Sequence, residues 1–258
     1  MSAAPAPSGL RLVWGEEFDG PAGSPVDRSV WTHELGDGTE HGNPGWGNDE
    51  LQRYTDLVDN SALDGSGNLA ITARLTPGGF TSARLVTKDK VHVRYGRIEA
   101  RAAVPRGAGL WPAIWALGAS IDEASWPRCG EIDVMEHVGR EPRRVYGTLH
   151  GPGYSRDECF GGTHDLDRDV AEDFHAFAVD WEPGHIAWTV DDTVYHEARP
   201  ADLAPHPWVF DQPVFLILNL AVGGSFGGAV DDATAFPQDF LVDYVRVFER
   251  DGTGGLAD

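Results

Sequence analysis

The chain has 258 residues, 41% of them hydrophobic, which is enough to bury a sizeable core within one domain. It contains 20 Lys and Arg residues and 41 Asp and Glu residues, which gives a formal net charge of −21. A field of this sign repels polyphosphate and argues against nucleic acid as a partner. The longest uncharged run, residues 212–230, is broken by Pro213 and several glycines, so we expect no membrane span.

The two ends of the chain are the least patterned parts. Residues 1–9 are mostly small residues and prolines, and predict a flexible N-terminus with neither the basic start nor the apolar stretch of a signal peptide. Residues 251–258 are glycine-rich and resemble the start of a linker. Residues 10–250 between them predict a single domain.

Alternation of polar and apolar residues dominates this domain. In Tyr95–Ala102, charged residues alternate with Ile and Ala, which places one polar and one apolar face on a strand. No segment predicts a helix longer than about three turns. Strands in one chain without long helices predict an all-β sandwich of two antiparallel sheets. Further strands are predicted over residues 10–18, 68–75, 84–88, 111–117, 145–150, 174–181, 186–190, 214–222 and 240–248.

Two loop-rich stretches, Gly36–Gly47 and Gly151–Gly162, interrupt the strands. We expect them to form rims of the sandwich, where binding residues tend to lie. The two cysteines, Cys129 and Cys159, allow at most one disulfide, and their spacing leaves open whether it forms.

The segment Cys129–Gly139 carries three carboxylates in an otherwise apolar strand. Glu131 and Asp133 share one face of a strand, but Glu136 would point to the opposite face if the strand were regular. A β-bulge at Met135 would absorb one residue and return Glu136 to the face of the other two acids.

Carboxylates crowded into an apolar strand are costly to desolvate, and proteins tolerate that cost mostly where the charges are used. Two close carboxylates can hydrolyse a glycoside: one attacks the anomeric carbon and the other protonates the leaving oxygen, with a separation of about 5 to 5.5 Å in retaining enzymes. The pattern alone also fits a solvent-facing strand edge that carries acids.

The segment Glu131-Ile-Asp-Val-Met-Glu136 resembles the active-site signature of glycoside hydrolase family 16, in the longer form of its laminarinase-type endo-β-1,3-glucanases. Lichenases of the family resemble a shorter form without the extra residue. The resemblance extends from about Leu10 to Glu249 and implies a concanavalin-like β-jelly roll, with the glucan in a cleft across the concave sheet. Further similar blocks, in family order, are Trp14–Asp19, Asn48–Tyr54, Ser82–Leu85, Tyr95–Arg101, Gly109–Trp115, Asn219–Gly224 and Asp243–Val247.

The resemblance also implies roles for single residues. Glu131 would be the nucleophile, Glu136 the general acid and base, and Asp133 a partner that hydrogen-bonds Glu131. Repulsion from the neighbouring acids would raise the pKa of Glu136, as an acid catalyst requires. His150 matches a position close to the acid, although it could equally be a surface histidine.

Sugars present flat apolar faces and rims of hydroxyl groups, so their clefts need aromatic platforms and planar polar groups. Trp111 and Trp115 lie four residues apart on one face of a strand, as consecutive sugar rings would require. Trp126 is a third candidate, and each of the three could instead be a core tryptophan. By the resemblance, the non-reducing side of the cut would be lined by Asn48, Glu50 and Arg84.

The resemblance implies no cofactor for catalysis, but one structural calcium ion away from the cleft. Its ligands would be the carbonyl groups of Glu17 and Gly67 and the side chain of Asp243, oxygen donors of the kind that calcium takes. The partner would be a β-glucan polysaccharide bound by a monomer. We expect secretion, because a polymeric substrate cannot enter a cell.

Three functions remain compatible with these observations. The first is a retaining endo-β-1,3-glucanase, with mixed-linkage β-1,3-1,4-glucan as a secondary substrate. The second is another polysaccharide hydrolase or a transglycosylase of the same family. The third is a non-catalytic, lectin-like glucan-binding module on the same fold. Such modules tend to lose the acids, and here all three acids are present. Met135 and the tryptophan-rich block Gly109–Trp115 argue against most activities of the second kind, so we predict the first.

Overall fold

The computed structural model describes residues 9–257. Most of the predicted flexible N-terminus, residues 1–8, lies outside the described residues. The strands, in chain order, are β1 (Leu10–Glu16), β2 (Thr32–His33), β3 (Gln52–Tyr54), β4 (Ser61–Leu63), β5 (Leu69–Thr76), β6 (Gly79–Ser82), β7 (Arg84–Val86), β8 (His92–Val93), β9 (Gly96–Ala103), β10 (Leu110–Gly118), β11 (Glu131–Glu136), β12 (Arg144–His150), β13 (Phe160–Asp165), β14 (His175–Glu182), β15 (His185–Val190), β16 (Thr193–Ala198), β17 (Val214–Val222), β18 (Gln238–Arg250) and β19 (Leu256–Ala257).

Helical segments in the described part are short. The α-helix α1 (Gly224–Gly227) has four residues, in agreement with the absence of helical periodicity in the sequence. No helix within residues 9–257 is long and apolar enough to cross a membrane. The 3-10 turns are Thr39–His41, Pro44–Gly47, Ala119–Asp122, Arg156–Glu158, Val170–Glu172 and Pro200–Leu203.

The strands form two sheets. The ten-stranded sheet has the order β16-β15-β14-β9-β18-β5-β6-β3, with β1 beside β18 and β4 beside β5. The nine-stranded sheet has the order β13-β12-β11-β10-β17-β7-β2, with β8 beside β17 and β19 beside β8. Pairing is mostly antiparallel, with a parallel pair between β3 and β6. The predicted all-β sandwich is confirmed.

The core lies between the two sheets and explains the alternation seen in the sequence. Ile98 and Val247 enter it from the ten-stranded sheet, and Ile114 and Leu149 enter it from the nine-stranded sheet. Each such side chain contributes about 1.5 to 3 kcal/mol by leaving water. The polar residues that alternate with them are left on the two outer faces, where they are available for charge pairing or for chemistry.

The differences from the prediction lie in short or loop-like segments. Strand β13 begins inside the stretch Gly151–Gly162, so the predicted rim ends at Cys159. Residues 256–257 of the linker-like tail form β19, which pairs with β8. Cys129 and Cys159 are both free thiols, the first buried and the second exposed.

Candidate active site

A β-bulge interrupts β11 between Asp133 and Glu136. The register against β10 passes from Asp133 to Met135 while the partner strand advances by one residue, so Val134 has no partner there. The register against β12 shifts over the same interval. The bulge predicted from strand parity is confirmed, but the residue left unpaired on the β10 side is Val134 instead of Met135.

The bulge divides the side chains of β11 by their chemistry. The apolar side chains enter the core and are at most 1% exposed: Ile132, Val134 and Met135. The bulge therefore places the three acids together on the outer face of the nine-stranded sheet: Glu131, Asp133 and Glu136.

Glu131 is partly exposed and lies between two rings, one of which forms a hydrogen bond to it. Trp126 donates a hydrogen bond from Nε1 to Glu131 Oε2 at 2.6 Å. His150 Nε2 lies 3.8 Å from Glu131 Oε1. A carboxyl group that is fixed at one oxygen and still partly exposed is suited to act as a nucleophile.

Asp133 is only 3% exposed, and burial is the main reason that its pKa is raised well above the usual range. The charges of Glu131 and Glu136 raise it further. Its Oδ2 lies 3.2 Å from His150 Nε2. The predicted hydrogen bond to Glu131 is absent from the described contacts, although oxygen atoms of the two acids lie within 4.8 Å. Asp133 therefore keeps a proton over a wider pH range than an ordinary aspartic acid does.

Glu136 is also buried, and its pKa is raised to about 7. Burial is the largest cause; the charge of His150 lowers the pKa and the charge of Glu131 raises it. Like-charge repulsion, the cause predicted from the sequence, is thus secondary. Trp111 Nε1 donates to Oε1 at 3.0 Å, and Thr148 Oγ1 donates to Oε2 at 3.3 Å. A carboxyl group that keeps its proton near neutral pH can act as a general acid.

His150 lies opposite Glu131 on β12 and contacts Glu131 and Asp133 directly, instead of the acid Glu136. Burial lowers its pKa, but the contact with Asp133 and the negative charges of the three acids outweigh burial and raise the pKa to about 9. The backbone N–H of Arg156 points at Nδ1 from 3.1 Å. This N–H needs a lone pair on Nδ1, so it opposes the cationic ring and favours a proton on Nε2, facing the acids.

Ligand atoms of Glu131, Asp133 and His150 lie within 4.8 Å of one another, a spacing that could hold a metal ion. A neutral histidine that binds a metal through Nε2 carries its proton on Nδ1. The backbone N–H of Arg156 already points at that atom. The donor set therefore fits a metal poorly, and we assign the cluster to acid and base chemistry.

The predicted platforms Trp111 and Trp115 lie half-buried on the same face of β10. Trp115 Nε1 donates to Asn219 Oδ1 at 2.7 Å. The guanidinium of Arg84 lies 4.8 Å from the ring of Trp115 and 4.5 Å from the ring of Trp46. A cation between two aromatic rings is rigidly placed, which suits a binding surface.

Asn48 and Glu50 belong to a hydrogen-bonded network beside these rings. Asn48 Nδ2 donates to Glu50 Oε1 at 3.0 Å, and Gln52 Nε2 donates to Oε2 at 2.7 Å. Tyr54 donates its hydroxyl proton to Oε2 at 3.2 Å and accepts a hydrogen bond from Asn219 Nδ2 at 3.1 Å. The network thus connects the loop before β3 to β17.

Several residues that lie around the three acids and the tryptophan rings were not predicted from the sequence. A signal existed for Asn219, since it is a polar residue within the long apolar strand β17. The others come from separate elements, and no local pattern marks them: Trp46, Gln52, Tyr54, Thr148 and Arg156.

The predicted calcium ligands lie apart from the acids. Asp243 belongs to β18 of the ten-stranded sheet, where the register against β9 skips it. Its Oδ2 accepts a hydrogen bond from Arg101 Nη1 at 2.6 Å. Asp19 Oδ1 lies 3.8 Å from the position that a Cβ atom on Gly67 would take, so a further carboxylate lies close to Gly67.

Residues 50–246 match the sequence profile of glycosyl hydrolases family 16. The chain belongs to this family. A family member from Rhodothermus marinus, a beta-glucanase, is 43% identical over 251 residues, which cover 92% of this chain and 84% of that protein. The glucan endo-1,3-beta-glucosidase A1 of Niallia circulans is 37% identical over 95% of this chain and 39% of that protein.

The family fold is also found among solved structures. The X-ray structure of the endo-beta-1,3-glucanase from Pyrococcus furiosus matches with a TM-score of 0.88 and 45% identity, over 93% of this chain and 95% of that chain. The family expected from the signature of β11 is therefore shown.

Proposed function

We propose that this chain is a retaining endo-β-1,3-glucanase, with mixed-linkage β-1,3-1,4-glucan as a secondary substrate. The observation that carries the proposal is the pair of glutamates on one face of the bulged strand β11, in unlike surroundings. Glu131 is partly exposed, whereas burial raises the pKa of Glu136 to about 7. Unlike surroundings allow one carboxyl group to attack while the other donates a proton. The activities named for the relatives support the same substrate.

The reaction takes two displacements. Glu131 attacks the anomeric carbon, the glycosidic C–O bond breaks, and Glu136 gives its proton to the leaving oxygen. Glu136, now a carboxylate, takes a proton from water, and the resulting hydroxide displaces Glu131 from the sugar. The products are two shorter glucan chains, and both glutamates return to their starting protonation states.

Asp133 and His150 support this pair. A protonated Asp133 separates the two glutamates without adding a third negative charge, which limits repulsion at the centre of β11. His150 places its Nε2 3.2 Å from Asp133 and 3.8 Å from Glu131. A proton on Nε2 would stabilise the carboxylate that leaves the sugar in the second step.

The aromatic and polar residues around the acids would bind the sugar chain. Trp111 and Trp126 contact Glu136 and Glu131 through their indole N–H groups, so their rings lie beside the bond to be cut. Sugar rings stack on such faces. We assign the non-reducing side of the cut to the surface formed by Trp115, Asn48, Glu50 and Arg84.

A structural calcium ion at Glu17, Gly67 and Asp243 remains part of the proposal. These residues offer oxygen donors, and Asp19 lies close enough to Gly67 to supply a further carboxylate. One oxygen of Asp243 is held by Arg101, which leaves the other for the ion. We further propose that the protein acts outside the cell, because a polymeric substrate cannot enter a cell, and that it is a monomer.

A reducing-sugar assay on laminarin, lichenan and agarose tests the proposal. We expect release from laminarin first, less from lichenan and none from agarose. Proton NMR of the first product should show the β anomer. Release from agarose alone would favour another family activity. Binding of laminarin without cleavage would favour the lectin-like module.

A further inference from the structure

Arg156 connects the two rims of the candidate cleft. It lies in the rim that follows β12, and its Nη1 donates a hydrogen bond to the carbonyl oxygen of Gly47 at 3.0 Å. Gly47 ends the stretch Gly36–Gly47, the other loop-rich rim. One exposed side chain thus joins two loops that are more than a hundred residues apart in sequence, beside the acids of β11.

The same guanidinium covers a platform that a sugar would use. Its Cζ lies 5.2 Å from the centre of the Trp126 ring, and Trp126 is hydrogen-bonded to Glu131. Trp126 also packs against the small apolar cluster that includes Leu117 and Cys129. A guanidinium and a sugar ring both favour an aromatic face, and they cannot occupy the same face together.

The backbone at Arg156 is held in an uncommon conformation. Its φ is +56°, in the left-handed region that side chains other than glycine disfavour. Two contacts keep it there: its N–H points at His150 Nδ1, and its side chain reaches Gly47. Glycine adopts this conformation without cost, so the side chain can be removed without disturbing the turn.

We infer that Arg156 is a clasp that competes with the glucan: in the free enzyme it covers Trp126 and ties the rims, and a bound chain displaces it. The inference rests on the proposed function, because glucan is the ligand. Each binding event then loses the Arg156–Gly47 hydrogen bond and the contact with the Trp126 ring. Arg156 thereby lowers the affinity for glucan and sets the substrate concentration at which the enzyme is half-saturated.

The test compares laminarihexaose binding by calorimetry in a non-hydrolysing background, Glu131→Gln, with and without Arg156→Gly. Losing the clasp should tighten binding by about three- to tenfold, as expected for one hydrogen bond plus one cation–aromatic contact. Arg156→Lys keeps the charge and the reach to Gly47 but loses the planar group. Its affinity for laminarihexaose should therefore lie between those of the protein with Arg156 and the Arg156→Gly protein. Arg94→Ala is the matched control, because Arg94 lies 5.1 Å over the ring of Tyr95, away from the acids. Its affinity should be unchanged.

Indole N–H resonances provide a second readout. The Trp126 signal, assigned with Trp126→Phe, should differ between the Arg156→Gly protein and its parent in the free state and coincide once both are saturated with laminarihexaose. Unchanged or weaker binding in Arg156→Gly overturns the clasp, and weaker binding would make Arg156 a sugar ligand. The proposed function itself is refuted by two results together: the Glu131→Gln protein does not bind laminarihexaose, and the protein with Glu131 does not cleave laminarin.

Discussion

The outer faces of the two sheets both bury charge, but they compensate it differently. On the ten-stranded sheet, Arg97 is 4% exposed and bonds Glu99 at 2.8 Å, Asp180 at 3.0 Å and Asp192 at 3.2 Å. Tyr244 donates a further hydrogen bond to Glu99 at 2.9 Å. The acids on this face are hydrogen-bonded to arginine and tyrosine side chains, and we assign them a structural role.

On the nine-stranded sheet, one histidine contacts two of the three acids, Glu131 and Asp133, and no arginine bonds any of the three within the described contacts. Burial favours the neutral carboxyl group of Glu136 and outweighs the charge of the titratable His150, so the pKa of Glu136 is raised to about 7. The comparison teaches that the number of buried acids does not mark an active site. What marks it is the absence of a permanently charged partner such as arginine, which leaves the acids able to take up and release protons.

Removing the proposed nucleophile should have the largest effect. In Glu131→Gln, we expect laminarin turnover to fall at least about a thousandfold, because no covalent intermediate can form. Melting temperature and laminarin binding should stay near those of the parent. The matched change on the other face, Glu99→Gln, should lower the melting temperature and leave kcat unchanged. Substantial turnover by purified Glu131→Gln would remove the assigned nucleophile.

Removing the bulge should have the next largest effect. Deleting Met135 joins Val134 to Glu136 and shifts the acid by part of a strand repeat of about 3.3 Å, whereas catalysis needs placement within about 0.5 Å. We expect a folded protein with activity lowered by at least about a hundredfold. Met135→Leu keeps the bulge and the volume of the side chain, so it should lower the activity little. Near-parental activity of the deletion would show that the bulge does not place the acid.

The acid should also control the alkaline limb of the pH profile. In the proposed mechanism Glu136 must be protonated to act, and its pKa is about 7, so kcat/KM on laminarin should fall as the pH rises through about 7. Glu136→Gln should abolish that limb, and aryl glycosides with good leaving groups should keep more of their glycosylation rate than laminarin does. Equal losses on both substrates would argue against the acid role.

On the paired face, removing the central cation should affect stability instead of chemistry. Arg97→Met leaves Glu99 buried without its cation, although the hydrogen bond from Tyr244 remains, and we expect a loss of about 3 kcal/mol of unfolding free energy by chemical denaturation. The rate per folded molecule should not change. Arg250→Met is the control, because its side chain is 39% exposed and its ion pairs should contribute less than about 1 kcal/mol. A large loss of kcat in folded Arg97→Met would mean that the two faces are coupled.

The smallest effect should come from calcium. An ion that binds only the folded state raises the melting temperature by mass action, so we expect a rise of a few degrees at saturating calcium and an unchanged rate. Asp243→Asn should remove the rise. If a chelator abolished activity without lowering the melting temperature, the ion would belong to the acids instead.

The sequence contained enough to predict the sandwich and the placement of the acids, because both depend on period-two alternation within single strands. Glu131 and Glu136 are five residues apart, and in a regular strand an odd interval places two side chains on opposite faces. A bulge was therefore required if the two glutamates were to share one face. Parity could not decide which of two adjacent residues loses its partner, since Val134 and Met135 both face the core. Strands of two to four residues, such as β2 and β19, are too short to show a period.

The contacts of the site were harder to predict, since they join distant elements. Tyr54 and Asn219 are bonded at 3.1 Å although 165 residues separate them. The main cause of the raised pKa of Glu136 was also hidden, because burial depends on everything that packs around the carboxyl group. The local sequence pattern therefore predicted the strand that carries the three acids, whereas the residues that surround the acids could be identified only from the fold.

The bulge on β11 also limits how this protein can evolve. Met135 is fully buried and is covalently joined to Glu136, so a substitution that repacks the core around Met135 moves the backbone from which the acid projects. Core positions elsewhere can drift among apolar residues of similar volume while the fold survives. At Val134 and Met135, selection for stability and selection for activity act on the same atoms, and variation there should be narrower than at any equally buried position of the ten-stranded sheet.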